Sequence, residues 1–185
     1  MQAPGITRHR RPFLAPIWLF GAAVLLAGAI VIALYRSMST TTFVVVRHAE
    51  KQLGTIADPP LAPEGEARAE RLARLFGDDS GIGTIAAIYV TDTRRTQQTA
   101  APLAARLRLT SEVLPADDVT GVISRARSEH GGSRVLIVGH SNTVPEIVGR
   151  LADMQVPPIA EDQYDNLYIV SVPTLGPSSV LRLTY

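Results

Sequence analysis

Cysteine is absent from the 185 residues, which removes disulfide frameworks, cysteine-ligated zinc and cysteine nucleophiles together. Acidic residues are missing from the front of the chain: Arg8, Arg10, Arg11 and Arg36 all stand before residue 37, and every Asp and Glu stands after it. The remainder therefore holds 14 basic against 17 acidic side chains, a net of −3 within a total of +1. That balance argues against nucleic acid as a partner. Internal repeats and low-complexity tracts are lacking too. With 46% apolar and 19% charged residues the composition is that of a folded chain, not a disordered tail. Neither an H-E-x-x-H pattern nor an Asp-rich calcium loop occurs, so no metal and no cofactor is expected.

What is present begins with a long uncharged run. Nothing charged lies between Arg11 and Arg36, and Pro16 to Tyr35 reads as twenty almost unbroken apolar residues. At about 1.5 Å per residue, a helix of that length covers roughly 30 Å, the thickness of a bilayer core. We read residues 1–15 as a basic cytoplasmic N-terminus, 16–35 as a transmembrane signal anchor and 36–41 as a linker. The positive-inside rule then exports the rest, giving a single-pass inner-membrane protein with a periplasmic domain. Trp18 and Tyr35 stand near the two ends of the run, where interfacial aromatics belong. Ala27-Gly28-Ala29 also offers a signal-peptidase type of site. Cleavage there would leave a mature chain starting with Ile30-Val31-Ile32, so the uncleaved anchor is preferred.

Residues 42–185 alternate strand and helix patterns. Thr42 to Val46, Ala86 to Val90 and Arg134 to Val138 are apolar runs of buried-strand type. Leu167 to Val172 and Val180 to Tyr185 follow as strands joined by a Gly-Pro turn. Helical faces are formed by Ala69, Leu72 and Phe76, with Pro63 in the first turn, and by Ala100, Leu103, Ala104 and Leu107. Two more are formed by Val119, Val122, Ile123 and Ala126, and by Val144, Ile147, Val148 and Leu151. The alternation predicts a three-layer α/β fold, a mostly parallel central sheet flanked by helices.

In such sheets ligands gather beyond the carboxyl ends of the strands. The first strand delivers Arg47 and His48, the second leads to Arg94 and Arg95, and the third delivers His140, Ser141 and Asn142. Two arginines and two histidines then converge on one crevice. Arginine offers a planar fork for a phosphoryl group, and a neutral imidazole is a capable nucleophile at phosphorus. A helix starting near Asn142 and Thr143, with Glu146 placed for a capping box, turns Asn142 and free N–H groups towards the anion. Gly139-His140-Ser141 imitates a serine-hydrolase elbow, but the last position is Thr143 and no histidine follows Ser141, so that reading fails. His130 reads as an exposed helix end.

Val45-Val46-Arg47-His48-Ala49-Glu50, Arg95-Thr96-Gln97-Gln98-Thr99-Ala100 and Val138-Gly139-His140-Ser141-Asn142 resemble, in order, three signature blocks of the histidine phosphatase superfamily, the phosphoglycerate-mutase-like proteins. Leu61-Ala62-Pro63-Glu64-Gly65 is similar to that family's turn before its first helix, with Ala62 where threonine is usual. The resemblance spans about residues 42–185. It implies that His48 becomes the phosphohistidine, that Arg95 is the second phosphate arginine, and that Arg47, Arg95 and His140 hold the phosphoryl oxygens. It also implies an acid some two dozen residues after Arg95, which points to Asp117, with Asp118 as a helix cap and Glu50 in reserve. The activity expected is metal-independent phosphomonoester hydrolysis of a phosphorylated small molecule or envelope sugar phosphate. A protein-phosphohistidine phosphatase and a non-catalytic, membrane-tethered phosphate-binding module are the alternatives; a mutase is disfavoured because about 145 residues leave little room for enclosing insertions. Oligomeric state is not legible.

Overall fold

The computed structural model describes residues 16–37, 39–54, 57–77 and 83–185. The chain divides between Ser37 and Met38 into two units. The first contributes one helix, α1 (Pro16–Ser37), which has no acidic residue in its first turn and leaves Trp18, Phe20, Leu25 and Val31 exposed. The expected membrane span over 16–35 is thus helical. Among the described residues, however, no helix is long and apolar enough to cross a membrane. The basic stretch 1–15 lies outside the described residues. The linker is shorter than expected, because α1 runs through Ser37 and the first strand opens at Thr40.

The second unit follows the predicted alternation. In chain order it contains β1 (Thr40–Arg47), α2 (Pro63–Gly77), β2 (Ala87–Thr91), α3 (Arg94–Leu107) and β3 (Glu112–Leu114). Then come α4 (Val119–Glu129), β4 (Arg134–Gly139), α5 (Thr143–Ala152), β5 (Asn166–Pro173) and β6 (Ser179–Thr184). The six strands form one sheet in the order β3-β2-β4-β1-β5-β6. The pairs β3–β2, β2–β4 and β4–β1 are parallel, whereas β5 is antiparallel to β1 and β6 to β5. The sheet is therefore mixed, with the expected parallel majority.

Strand period two divides the core between the faces. Phe43, Val45, Tyr89, Val135 and Ile137 meet Val119, Val122 and Ala126 of α4 and Val144, Ile147, Val148 and Leu151 of α5. Val44, Val46, Ile88, Val90, Leu136 and Val138 meet Leu72 and Phe76 of α2 and Ala100 and Leu103 of α3. Each large apolar side chain taken fully out of water contributes about 1.5–3 kcal/mol, so β1 and β4, buried on both faces, are the rigid centre. The helix that follows β1 and the helix that follows the adjacent β4 lie on opposite faces. A crevice opens at the carboxyl ends of those two strands, the usual ligand position in an open α/β sheet.

Candidate active site

Arg47 is registered opposite Gly139, and the His48 amide donates to the Gly139 carbonyl at 2.9 Å. The parallel pairing that builds the sheet centre thus delivers His48 and His140 side by side, ring centroids 5.4 Å apart. Gly139 suits this junction, since a Cβ there would stand 2.9 Å from Thr143 Oγ1. Arg95 enters from the first turn of α3, its Nη2 3.4 Å from His140 Nδ1. Arg47, His48, Arg95 and His140 line one hollow of about 330 Å³, together with Lys51, Asp117, Asn142 and Glu161.

The residues around these four explain the motif spacing. Thr99 Oγ1 accepts from the Ala49 amide at 2.9 Å and donates to the Arg95 carbonyl at 2.7 Å, tying the turn after β1 to α3. Gln98 Oε1 accepts from the Leu61 amide at 2.8 Å, and the Ala62 amide donates to the Glu50 carbonyl at 2.9 Å. A Cβ on Gly65 would collide with that same Glu50 carbonyl, so only glycine lets α2 begin so close to the site. Thr96, fully buried, shares its hydroxyl proton between the carbonyls of Thr91 and Thr93, 3.0 and 2.9 Å away, and fixes the first turn of α3.

Hydrogen bonds also set the imidazole tautomers. His48 Nδ1 lies 2.8 Å from the Ala49 carbonyl, an acceptor, so Nδ1 carries the proton and Nε2 keeps its lone pair. His140 Nε2 meets Thr91 Oγ1 at 3.0 Å while Arg95 approaches Nδ1. Burial, followed by the cations Arg47 and Arg95 and the neighbouring ring, lowers the His48 pKa to about 3, against the Ala49 hydrogen bond that raises it. Burial, then Arg95 and Arg47, lowers that of His140 to about 4. Both rings are neutral at pH 7, which leaves a nucleophilic nitrogen on His48.

Arg47 is 1% exposed. Its Nη1 donates to the carbonyls of Ala160 and Gln163 at 2.8 and 3.0 Å, and its Nη2 to Glu161 at 3.1 Å. It therefore pins the segment 160–163 over the site while its guanidinium stacks on Tyr164, 4.2 Å from the ring centroid. The Nε atoms of Arg47 and Arg95 are buried and have no hydrogen-bond partner.

Several sequence expectations need amendment. Asp117 does line the hollow, exposed at its rim, and Asp118 is a helix cap, accepting from the Gly121 amide at 2.8 Å. Glu50 does not line the hollow; Arg68 holds it in a fork, with Nε 3.0 and 2.9 Å from its two oxygens. Burial acts to raise its pKa, but the Arg68 hydrogen bonds prevail and lower it, so the reserve proton donor drops out. The capping box at α5 does not form. Asn142 lines the hollow without a capping bond; Thr143 Oγ1 accepts from the His140 amide at 2.9 Å, and Glu146 pairs with Arg150. Four contributors were not foreseen as site residues: Thr91; Asp58, 3.4 Å from Arg95 Nη1; Lys51; and Glu161, which accepts from Ser141 Oγ at 2.7 Å. That Ser141 bond, then Arg47 and Lys51, lowers the Glu161 pKa despite an opposing effect of burial.

The family model described as the histidine phosphatase superfamily (branch 1) matches residues 43–118, a stretch that includes Arg47, His48, Arg95 and Asp117. Comparison with curated proteins gives no match. Among solved structures, the protein histidine phosphatase SixA complexed with tungstate is 22% identical, with a TM-score of 0.65 over 77% of this chain and 96% of that one. A mycobacterial glucosyl-3-phosphoglycerate phosphatase is 14% identical, with a TM-score of 0.60 over 79% and 98%. The α-ribazole phosphatase from Shigella flexneri is 16% identical, with a TM-score of 0.59 over 78% and 96%. These structures share the fold, and the stretch matched by the histidine phosphatase superfamily model carries two of the signature blocks, those around His48 and Arg95.

Proposed function

We propose that the protein is a phosphomonoester hydrolase working through a phosphohistidine on His48. The observation that carries this reading is the meeting of a neutral, Nδ1-protonated His48 with Arg47, Arg95 and His140 around one hollow. Nε2 of His48 attacks phosphorus in line; a P–N bond forms as the bond to the ester oxygen breaks. Arg47 and Arg95 neutralise the equatorial oxygens, and the incoming dianion works against the burial and the cationic field that keep His140 neutral, so that ring can take a proton and donate to them. Asp117, at the rim, protonates the departing alcohol and then takes a proton from the water that hydrolyses the P–N bond, releasing inorganic phosphate. Asn142 borders the same oxygens. No step calls on a metal ion.

The non-phosphate part of the substrate has a place to go. A groove of about 1010 Å³, lined by Lys51, Gln52, Leu53, Glu64, Asp162 and Tyr164, continues from the hollow through the shared Lys51 and Glu161. Its lining mixes acidic side chains with Lys51, Gln52 and Tyr164 over an apolar floor of Leu53, Ala62 and Pro63, and its size leaves room for a small molecule or envelope sugar phosphate. Likeness to glucosyl-phosphoglycerate and α-ribazole phosphatases supports that class; likeness to SixA supports a protein phosphohistidine as the second reading. The apolar run Pro16–Tyr35, flanked by more arginine before than after, supports α1 as a membrane anchor with the domain outside the cytoplasm.

The test is hydrolysis of an aryl phosphate by the full chain and by His48→Ala. Loss of turnover with retained fold is expected. Undiminished turnover in His48→Ala refutes the nucleophile, and a wild-type chain that binds phosphate without turnover turns the reading into a non-catalytic binding module.

A further inference from the structure

Far from the hollow, the fold gathers three ligand-type side chains that no spacing in the sequence announces. α4 starts beside the hollow at Asp118, and its eleven residues carry Glu129 about 16 Å away. There Glu129, the helix C-cap His130 and Glu112 of β3 come together, one ligand atom of each within 4.8 Å of the others. Tyr89 lies alongside them. Its Cα is registered against Glu112, and its ring meets the His130 imidazole edge-on at 6.1 Å between centroids. Tyr89 is fully buried, yet its hydroxyl has no hydrogen-bond partner. The Glu112 and Glu129 carboxylates lie close to this phenol, which places it beside the cluster. Native folds rarely leave such a group unmet without a reason.

Arg125 is the cation now near the two carboxylates. Its contacts are loose, 3.5 Å to Glu112 and 4.0 Å to Glu129, and all three side chains are substantially exposed. Such pairs contribute little. A divalent ion would neutralise both carboxylates at the C-terminus of α4, where the helix dipole favours positive charge.

We propose that Glu112, Glu129 and His130 form a Zn²⁺ site, with the Tyr89 hydroxyl donating to a ligated carboxylate oxygen. One imidazole nitrogen and two carboxylate oxygens are the ligand types this ion takes, and three protein ligands leave the fourth tetrahedral position to water. Bond lengths of about 2.0–2.2 Å require the ligand atoms to draw closer by roughly 1 Å, within reach of the exposed Glu129 side chain. The ion would displace Arg125 and clasp the three-residue β3 to the end of α4. The connection between those elements, 115–118, carries Asp117 to the rim of the hollow. The role is structural, and no step of the phosphoryl chemistry runs through it.

The test is calorimetric titration of ZnCl₂ into the chelator-stripped full chain in detergent. The His48–His140 pair can also take Zn²⁺, so every chain carries His48→Ala. One saturable site is expected, lost on adding His130→Ala, weakened by Glu112→Gln, and tightened by Arg125→Gln, which removes the competing cation. Tyr89→Phe should keep the stoichiometry with affinity about 10-fold lower and should abolish the near-ultraviolet tyrosine difference signal on Zn²⁺ addition. At a hundredfold excess over Kd the ion should raise Tm by roughly 5–10 °C, with no rise in the His130→Ala chain. Absence of saturable binding, or unchanged binding in His130→Ala and Glu112→Gln, overturns the site. Weaker binding in Arg125→Gln overturns the competition argument. If His130→Ala fails to fold by circular dichroism, Glu112→Gln and Arg125→Gln decide alone, by their opposite directions.

Discussion

Acid should weaken this fold through the two site histidines, in a window where other groups are quiet. Both rings are buried neutral, at 4% and 8% exposure, with pKa values lowered from 6.5 to about 3 and about 4. Above about pH 6.5 they are neutral in folded and unfolded chains alike, and the shifts have no effect. Between there and pH 3–4 the unfolded chain holds protons that the native chain refuses, so stability falls as pH falls. From pH 8 to 5 this amounts to about 2 kcal/mol per ring, and about 2–4 kcal/mol for the pair once solvent in the open hollow is allowed for. Glu50 and Glu161 have lowered pKa values. Their contributions are present above the ordinary carboxylate range and are lost only below it, so they leave the window clear. Urea melts at pH 8 and pH 5 should show the wild-type midpoint dropping by about 1–2 M. In the double variant His48→Gln/His140→Gln the drop should be largely gone. An equal drop in both chains would refute the claim that these rings are held neutral.

Three further outcomes follow from individual contacts. Asp117→Asn should slow phosphorylation of His48 by an alkyl phosphate by about 10²-fold while sparing the burst with an aryl phosphate, whose leaving group needs no acid; equal loss of this first step on both removes Asp117 as proton donor. Asp118→Ala should cost about 1 kcal/mol in chemical denaturation through its cap on Gly121, with KM and kcat unchanged. Cell fractionation should find the full chain in the membrane, with the domain open to external protease in spheroplasts. A protein released by high salt, or protected from protease, contradicts the anchor reading.

The strands that carry the site were legible because β1 and β4 are buried on both faces and so read as unbroken apolar runs, rich in β-branched residues. Their ends then pointed to Arg47, His48 and His140, whereas the Thr91 to Arg95 turn offered both Arg94 and Arg95, and the family resemblance chose Arg95. The three-residue β3 was missed: an edge strand with half-exposed Glu112 and Leu114 has too short a period to register. Asp58, Glu161 and Tyr164 were illegible as partners of the two arginines because long-range contacts, not local pattern, bring their loops in. Arg47 itself does so for 160–163, through two backbone carbonyls. The capping box failed for a related reason. The Thr143 hydroxyl is committed to the His140 amide, a bond that holds the catalytic turn rather than the helix end. The Glu112–Glu129–His130 cluster likewise exists only once α4 folds back against β2 and β3.

The most direct measurement is capture of the covalent intermediate. The full chain, mixed briefly with excess phosphomonoester, is quenched in alkali, because a phosphoramidate bond is lost in acid, then digested and read by mass spectrometry. A phosphoryl group on His48, absent from His48→Ala and accumulating in Asp117→Asn when breakdown is slowed, is the predicted result. Turnover with phosphate attached elsewhere, or with no phosphorylated peptide at all under burst conditions, contradicts it.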